Sequence, residues 1–361
     1  MQTLTLEQLR TYAVARSLFT PTTLLKAITK LGFVQADPIR APARAQGLTL
    51  SHRVRGYRAG DLEARYAQLP IEEDFFVNYG FLPRTMQQLM HPRTARSDWS
   101  TARWQQAQTV LEFVRSRGVV HPSEVDAEFR YGKSKNWFGG SSNASTQLLD
   151  GMHYRGLLRV AGCKSGVRTY AACELPVPVT DVAAAMDRLV DLIVATYAPL
   201  PQGSLSQLVM RLRTAVPQWT TDCRAAFARA LLRLPSVELA GHRWFWPAGE
   251  NPGSRQHALD EEVRLLAPFD PIVWDRRRFE LFWGWAYRFE AYTPVHKRVR
   301  GYYALPLLWR GHVIGWATVA VRAGQLDVQL GYVSGRPPQE SAFTHALDGE
   351  VERMARFLAL D

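Results

Sequence analysis

The chain of 361 residues has only three cysteines, Cys163, Cys173 and Cys223. No two of them share the C-x-x-C spacing of a zinc site, and their number is odd. This excludes a disulfide framework and a structural zinc, so we expect a reduced, cytoplasmic protein with no metal and no cofactor. No stretch approaches the roughly 18 uncharged apolar residues of a membrane span. The start, Met1-Gln-Thr-Leu-Thr-Leu-Glu, lacks the basic end and apolar run of a signal peptide, so no membrane partner is expected. Acidic residues are in deficit, 33 Asp and Glu against 44 Lys and Arg, giving a net charge of +11. Such a balance favours polyanionic partners. Lysine is scarce, 6 against 38 arginines. Arginine suits bidentate phosphate contacts, although codon bias towards arginine yields the same ratio.

With apolar residues at 47%, the length allows two or three domains with a substantial core. Residues 5–30 read as two helices, and Leu62 to Leu69 as another short one. Residues 104–175 then carry the clearest fold signal. An amphipathic helix from Trp104 to Ser116 is followed by a helix opening at His121-Pro-Ser-Glu and a third from Asn143 to Tyr154. A strand from Gly156, a turn at Cys163-Lys-Ser-Gly166 and a returning strand from Val167 complete the order of a winged helix. In that fold the third helix enters the major groove and the wing touches the backbone or the minor groove. Lys133, Lys135, Asn143, His153, Arg155, Lys164 and Arg168 are then expected on the DNA side; packing or protein contacts are the alternative use.

Residues 180–247 repeat the scheme, with helices from Val182, Ser204 and Asp222 and a hairpin around Gly241. Beyond a polar break near 250–256, three strands are predicted over 302–309, 313–321 and 326–332, and an amphipathic helix over 340–360. The expected class is α+β, with tandem winged-helix (helix-turn-helix) units and a β-rich C-terminal part. The expected division is an N-terminal winged-helix-like unit at 1–103, winged helices at 104–175 and 176–250, and a C-terminal domain at 251–361. No heptad or dimer helix is visible, so a monomer is expected.

The most specific local signal is Gln35-Ala-Asp37, with Pro38 directly behind. Proline disfavours the helical conformation at the preceding residue and pushes it extended. Residues two apart in extended chain point to one side, so an amide and a carboxylate can converge on one water or sugar carbon. Arg40 and Arg44 follow, suited to phosphate, with His52 and Arg53 further on. The same Asp-Pro pair is also an ordinary helix start, Asp as N-cap and Pro at the first position.

A second constellation runs from Pro268-Phe-Asp-Pro-Ile-Val-Trp-Asp-Arg276 through Phe282, Trp283, Trp285, Tyr287, Phe289 and Tyr292 to His296-Lys-Arg-Val-Arg300. Cations alternating with aromatics can grip phosphate and stack on an unpaired base. Arg276, His296, Lys297, Arg298 and Arg300 are candidate phosphate contacts. Core packing is the competing reading for the aromatics, and turn capping or pairing with nearby arginines for Asp270 and Asp275.

These two blocks resemble the AlkZ/YcaQ family of winged-helix DNA glycosylases that act on interstrand crosslinks. One is Leu31-Gly-Phe-Val-Gln-Ala-Asp-Pro-Ile-Arg40 with Ala43-Arg-Ala45, in the Gln-x-Asp form of that family's catalytic block. The other is Pro268 to Arg276 with Glu290-x-Tyr-x-Pro294, Lys297-Arg and Gly301-Tyr-Tyr-x-Leu-Pro306. The chain departs from the family pattern at Phe75–Pro83, which holds no histidine, and at Gly315–Thr318, which lacks a charged pair. The resemblance implies tandem winged helices forming a concave DNA-binding surface. It also implies a monofunctional glycosylase that excises N7-alkylated purines from double-stranded DNA and unhooks crosslinks, a cytoplasmic, nucleoid-associated enzyme of base excision repair.

In that reading Asp37 stabilises the oxocarbenium character of the sugar and orients or deprotonates water, and Gln35 holds the same water. The rival is a non-catalytic winged-helix DNA-binding protein, such as a transcription regulator.

Overall fold

The computed structural model describes residues 4–94, 98–135, 141–174 and 178–360. It packs as two compact units. One takes the chain up to Asp61 together with Val190–Val209 and Phe227 onward; the other takes Leu62–Leu189 and Met210–Ala226. Both ends of the chain belong to the first unit, so the packing does not follow chain order.

In the second unit, helix Thr101–Arg117 starts at Ser100, whose hydroxyl accepts the Arg103 N–H, and it buries Ala107, Val110 and Val114. Strand Val119–Val120 follows, then helix Pro122–Phe129, where His121 is the N-cap and Pro122 takes the first turn. Proline fits there because the first turn has no N–H partner to lose. Helix Ala144–Tyr154 buries Leu148, Leu149 and Met152. The hairpin Leu158–Lys164/Val167–Ala172 closes the set, with Val119–Val120 paired to its second strand. Its two-residue turn has Ser165 and Gly166 both at positive φ, the turn whose twist matches that of the flanking strands. Three helices and a closing hairpin follow the order expected from the sequence, and the short strand Val119–Val120 is an addition to it.

The same order recurs in helix Val182–Tyr197, strand Leu200–Pro201, helices Gln202–Ala215 and Asp222–Arg233, and hairpin Ser236–Leu239/His242–Phe245. Here too the leading short strand pairs with the second strand of the hairpin. Leu175, Pro176 and Val177, in the predicted linker between the repeats, lie outside the described residues.

The second unit also holds a hairpin that periodicity did not show, Ile71–Phe75 against Tyr79–Pro83. Its acidic run Glu72-Glu-Asp74 interrupts the alternation expected of a strand. Each carboxylate has a cation partner. Glu72 holds Arg84 and Arg159, Glu73 holds Arg168, and Asp74 holds Arg93 and His91.

In the first unit, helices Leu6–Ser17 and Leu24–Leu31 stand as predicted. An antiparallel meander of strands Val263–Leu265, Leu305–Trp309, His312–Arg322 and Gln325–Tyr332 is followed by helix Ser341–Phe357. The first of these four strands was not expected. The second begins at Leu305 rather than Tyr302, because Gly301 at φ +109 and the turn after it hold the preceding residues out of the sheet. Among the described residues, no helix is long and apolar enough to cross a membrane.

Candidate active site

Gln35 ends the two-residue strand Val34–Gln35 and is buried. Its amide oxygen accepts the indole N–H of Trp274 at 2.7 Å. An indole nitrogen only donates, so this contact fixes which amide atom faces Trp274. The two N–H donors of Gln35 remain for a water or a substrate oxygen. Trp274 is placed by the short helix Pro271–Trp274, which Asp270 starts by accepting the Ile272 N–H. Asp275 starts the next helix, Arg276–Trp283, by accepting the N–H groups of Arg277 and Arg278. The ring of Tyr197 packs against Trp274 with centroids 5.2 Å apart.

Asp37 is also buried. Its N–H donates to the side-chain oxygen of Gln46 at 3.2 Å, and its Oδ1 accepts the Ile39 N–H at 2.9 Å. That second contact is an Asx turn, not a helix cap. The next helix, Ala45–Ser51, begins eight residues further on, behind Arg44. Asp37 therefore does not start a helix.

Burial pushes the Asp37 carboxyl above the usual carboxylate range, and the Ile39 N–H opposes that shift. Among the described residues no cation pairs with Asp37. Tyr303 is its electrostatic neighbour. The Tyr303 hydroxyl is buried with no hydrogen-bond partner among the described residues. Burial and then the Asp37 charge hold it protonated well above the usual phenol range. Among the described residues the site thus holds a carboxylate without a counter-ion, an amide with its oxygen pinned, and an unused hydroxyl. A carboxylate left unneutralised can stabilise a positive charge that develops beside it and can accept a proton from water.

Of the expected phosphate contacts in this unit, Arg40, His296 and Lys297 are exposed and Arg44 is half-buried. Arg298 donates to the Thr293 carbonyl and lies over Tyr302, and Arg300 lies between Trp285 and Trp316. Two expectations are corrected. Arg53 is wholly buried and makes a two-pronged ion pair with Asp270, at 2.8 and 3.0 Å. His52 is buried against the Leu265 carbonyl, and burial, reinforced by Arg353 and Arg264, keeps it neutral. Arg276 spends its terminal nitrogens on the Val273 and Pro268 carbonyls and stacks on Tyr287. Arg53 and His52 are thus buried inside the fold, away from phosphate.

In the second unit Lys133, Asn143 and Lys164 are exposed, and Asn143 also bonds Asp126. The side chain of Lys135 lies outside the described residues. One further expectation is corrected. Arg155 is buried with its guanidinium 3.6 Å over the Trp99 ring, bonded to the Gly151 carbonyl. Arg168 pairs with Glu73 at 2.8 Å and covers Tyr79. His153 is buried.

Trp274, Gln46 and Tyr303 were not expected at the site. Trp274 lies in the segment Pro268–Arg276 and Tyr303 in Gly301–Pro306, but nothing local ties either to residue 35 or 37.

The chain belongs to the AlkZ-like DNA glycosylase family, whose model matches residues 28–357. That range contains Gln35, Asp37, Trp274 and Tyr303, and the protein is accordingly a DNA glycosylase. The fold is similar to that of Streptomyces sahachiroi DNA glycosylase AlkZ, with a TM-score of 0.63 over 99% of this chain and 97% of that one, at 14% sequence identity.

Proposed function

We propose that this glycosylase hydrolyses the N-glycosidic bond of N7-alkylated purines in double-stranded DNA, with Asp37 and Gln35 acting on a single water. An N7-alkylated purine is cationic and leaves readily, so the catalytic demand falls on the sugar and the water. As the bond between C1′ and N9 breaks, its electron pair goes to the base and neutralises the N7 charge. The sugar gains positive character, which the Asp37 carboxylate stabilises. The water oxygen bonds C1′, and its proton passes to Asp37. Gln35 holds that water through the N–H groups its contact with Trp274 leaves available. Crosslinked purines of the same chemistry belong to the proposed substrate range.

The observation that carries this reading is a buried Asp37 with no cation partner among the described residues, its basicity raised by burial. The test is base release from a duplex containing one N7-methylguanine. Wild type should release it, and Asp37→Asn should lose about 10²–10⁴-fold, the range of a general-base contribution. Because water is the nucleophile, borohydride should trap no covalent adduct. Release by Asp37→Asn at the wild-type rate removes Asp37 from the mechanism.

A further inference from the structure

The segment from Glu290 to Tyr303 is built unlike a solvent loop. Tyr292 is 79% exposed, and Val295 and Val299 are each 75% exposed. Isolated apolar side chains on a surface are ordinary, but here three this exposed fall within eight residues. The segment is also fixed in shape. The buried Glu290 carboxylate accepts the N–H groups of Val299 and Arg300 at 3.0 and 2.8 Å, closing the loop at its base. Inside it, Lys297 N–H bonds the Pro294 carbonyl and Arg298 Nε bonds the Thr293 carbonyl. At its end Gly301 sits at φ +109, where a Cβ would meet Thr318 Oγ1 at 2.8 Å. The chain then turns inward to Tyr303, the electrostatic neighbour of Asp37. A rigid loop that shows apolar tips costs little to order on binding.

We infer that this loop is a wedge. Tyr292, Val295 and Val299 enter the duplex beside the lesion and unstack the neighbouring base step, while Lys297 holds the flanking phosphate. Three features on the loop itself select DNA over an apolar protein surface as the occupant. His296 and Lys297 stand exposed among the apolar tips. Arg298 lies on the Tyr302 ring beside them. The loop runs directly into a residue that senses the Asp37 charge. Apolar side chains inserted between base steps kink DNA and hold it open. This inference rests on the reading of Asp37 as the reacting site.

The test is a duplex carrying a tetrahydrofuran abasic analogue with 2-aminopurine 3′ to it, whose fluorescence rises on unstacking. Wild type at saturating concentration should raise the signal. Tyr292→Ala/Val295→Ser/Val299→Ser alters exposed side chains only, so it should fold and bind but lose most of that rise. The same variant should release N7-methylguanine from duplex about tenfold more slowly than wild type, the value of one lost stacking contact, and from single strand at the wild-type rate. Lys297→Ala should weaken binding and lower the salt slope by about one, yet keep the fluorescence rise at saturation. No rise with wild type, or a triple variant matching wild type in both signal and duplex rate, overturns the wedge. A rise with wild type that the triple variant loses, without base release by either, supports the wedge and faults only the choice of lesion.

Discussion

Trp274 donates its indole N–H to the amide oxygen of Gln35 across 239 positions of sequence. This contact converts a glutamine, which can face either way, into one that presents only donors to the site. Trp274→Phe keeps the packing against Tyr197 and removes the donor. The Gln35 side chain is then free to rotate and to offer its oxygen to a water that needs a donor. We expect base release to fall about tenfold, one charge-assisted or buried hydrogen bond's worth, with Tm close to wild type. Gln35→Ala in the Trp274→Phe background should cost no more than Gln35→Ala alone. A full additive loss in that double variant would mean that Trp274 acts by another route.

The pH profile tests Asp37 directly. Its carboxyl is raised by burial, so base release should fall as pH drops through a value above the usual carboxylate range, and this limb should vanish in Asp37→Asn. The sign on stability runs the other way from most acidic residues. A raised carboxyl favours folding only while it is protonated, and that contribution is lost as pH rises through the folded-state value. At neutral pH the ionised Asp37 is a burden on the fold, so Asp37→Asn should raise Tm while slowing release. Thermal unfolding at pH 7.5 checks this, and a lower Tm for the variant would show that the carboxylate is a structural contact after all.

Much of this architecture is legible in the sequence because it rests on local chemistry. Pro122 behind His121 starts a helix, and Ser165-Gly166 and Ala240-Gly241 turn hairpins at positive φ. Period and punctuation mark these elements. The hairpin Ile71–Pro83 stayed hidden because its carboxylates balance cations brought from residues 84–168. Gln35 and Asp37 stand out through spacing and the proline behind them. Trp274 and Tyr303 are joined to them only by folding, so no window of sequence contains the whole constellation.

Arg53 shows the opposite failure. In a chain of net charge +11, an arginine next to a histidine reads as a phosphate contact, yet it lies buried on Asp270. Breaking a buried pair leaves an uncompensated charge and costs about 3–5 kcal/mol. Asp270→Asn keeps an N-cap for the helix that carries Trp274 but strands Arg53. We expect that loss of stability in denaturant titration, and unchanged salt dependence of duplex binding for Arg53→Met. A shallower salt slope in Arg53→Met would restore it as a DNA contact.

Tyr303 separates stability from function most cleanly. Its hydroxyl is buried without a partner among the described residues, and an unsatisfied buried polar group costs about 1–3 kcal/mol. A fold does not retain that cost by packing alone, since phenylalanine fills the same space without it. The hydroxyl has a neighbour it can serve, the Asp37 carboxylate, once water or substrate enters between them. Tyr303→Phe should therefore leave Tm equal or higher and lower the rate of base release. It should also shift the acidic limb of the pH profile upward, because the ionised form of Asp37 loses a donor that favours it. A variant with unchanged rate and an unmoved limb would reduce Tyr303 to packing. A variant with lower Tm would mean that the hydroxyl already has a partner in the free protein.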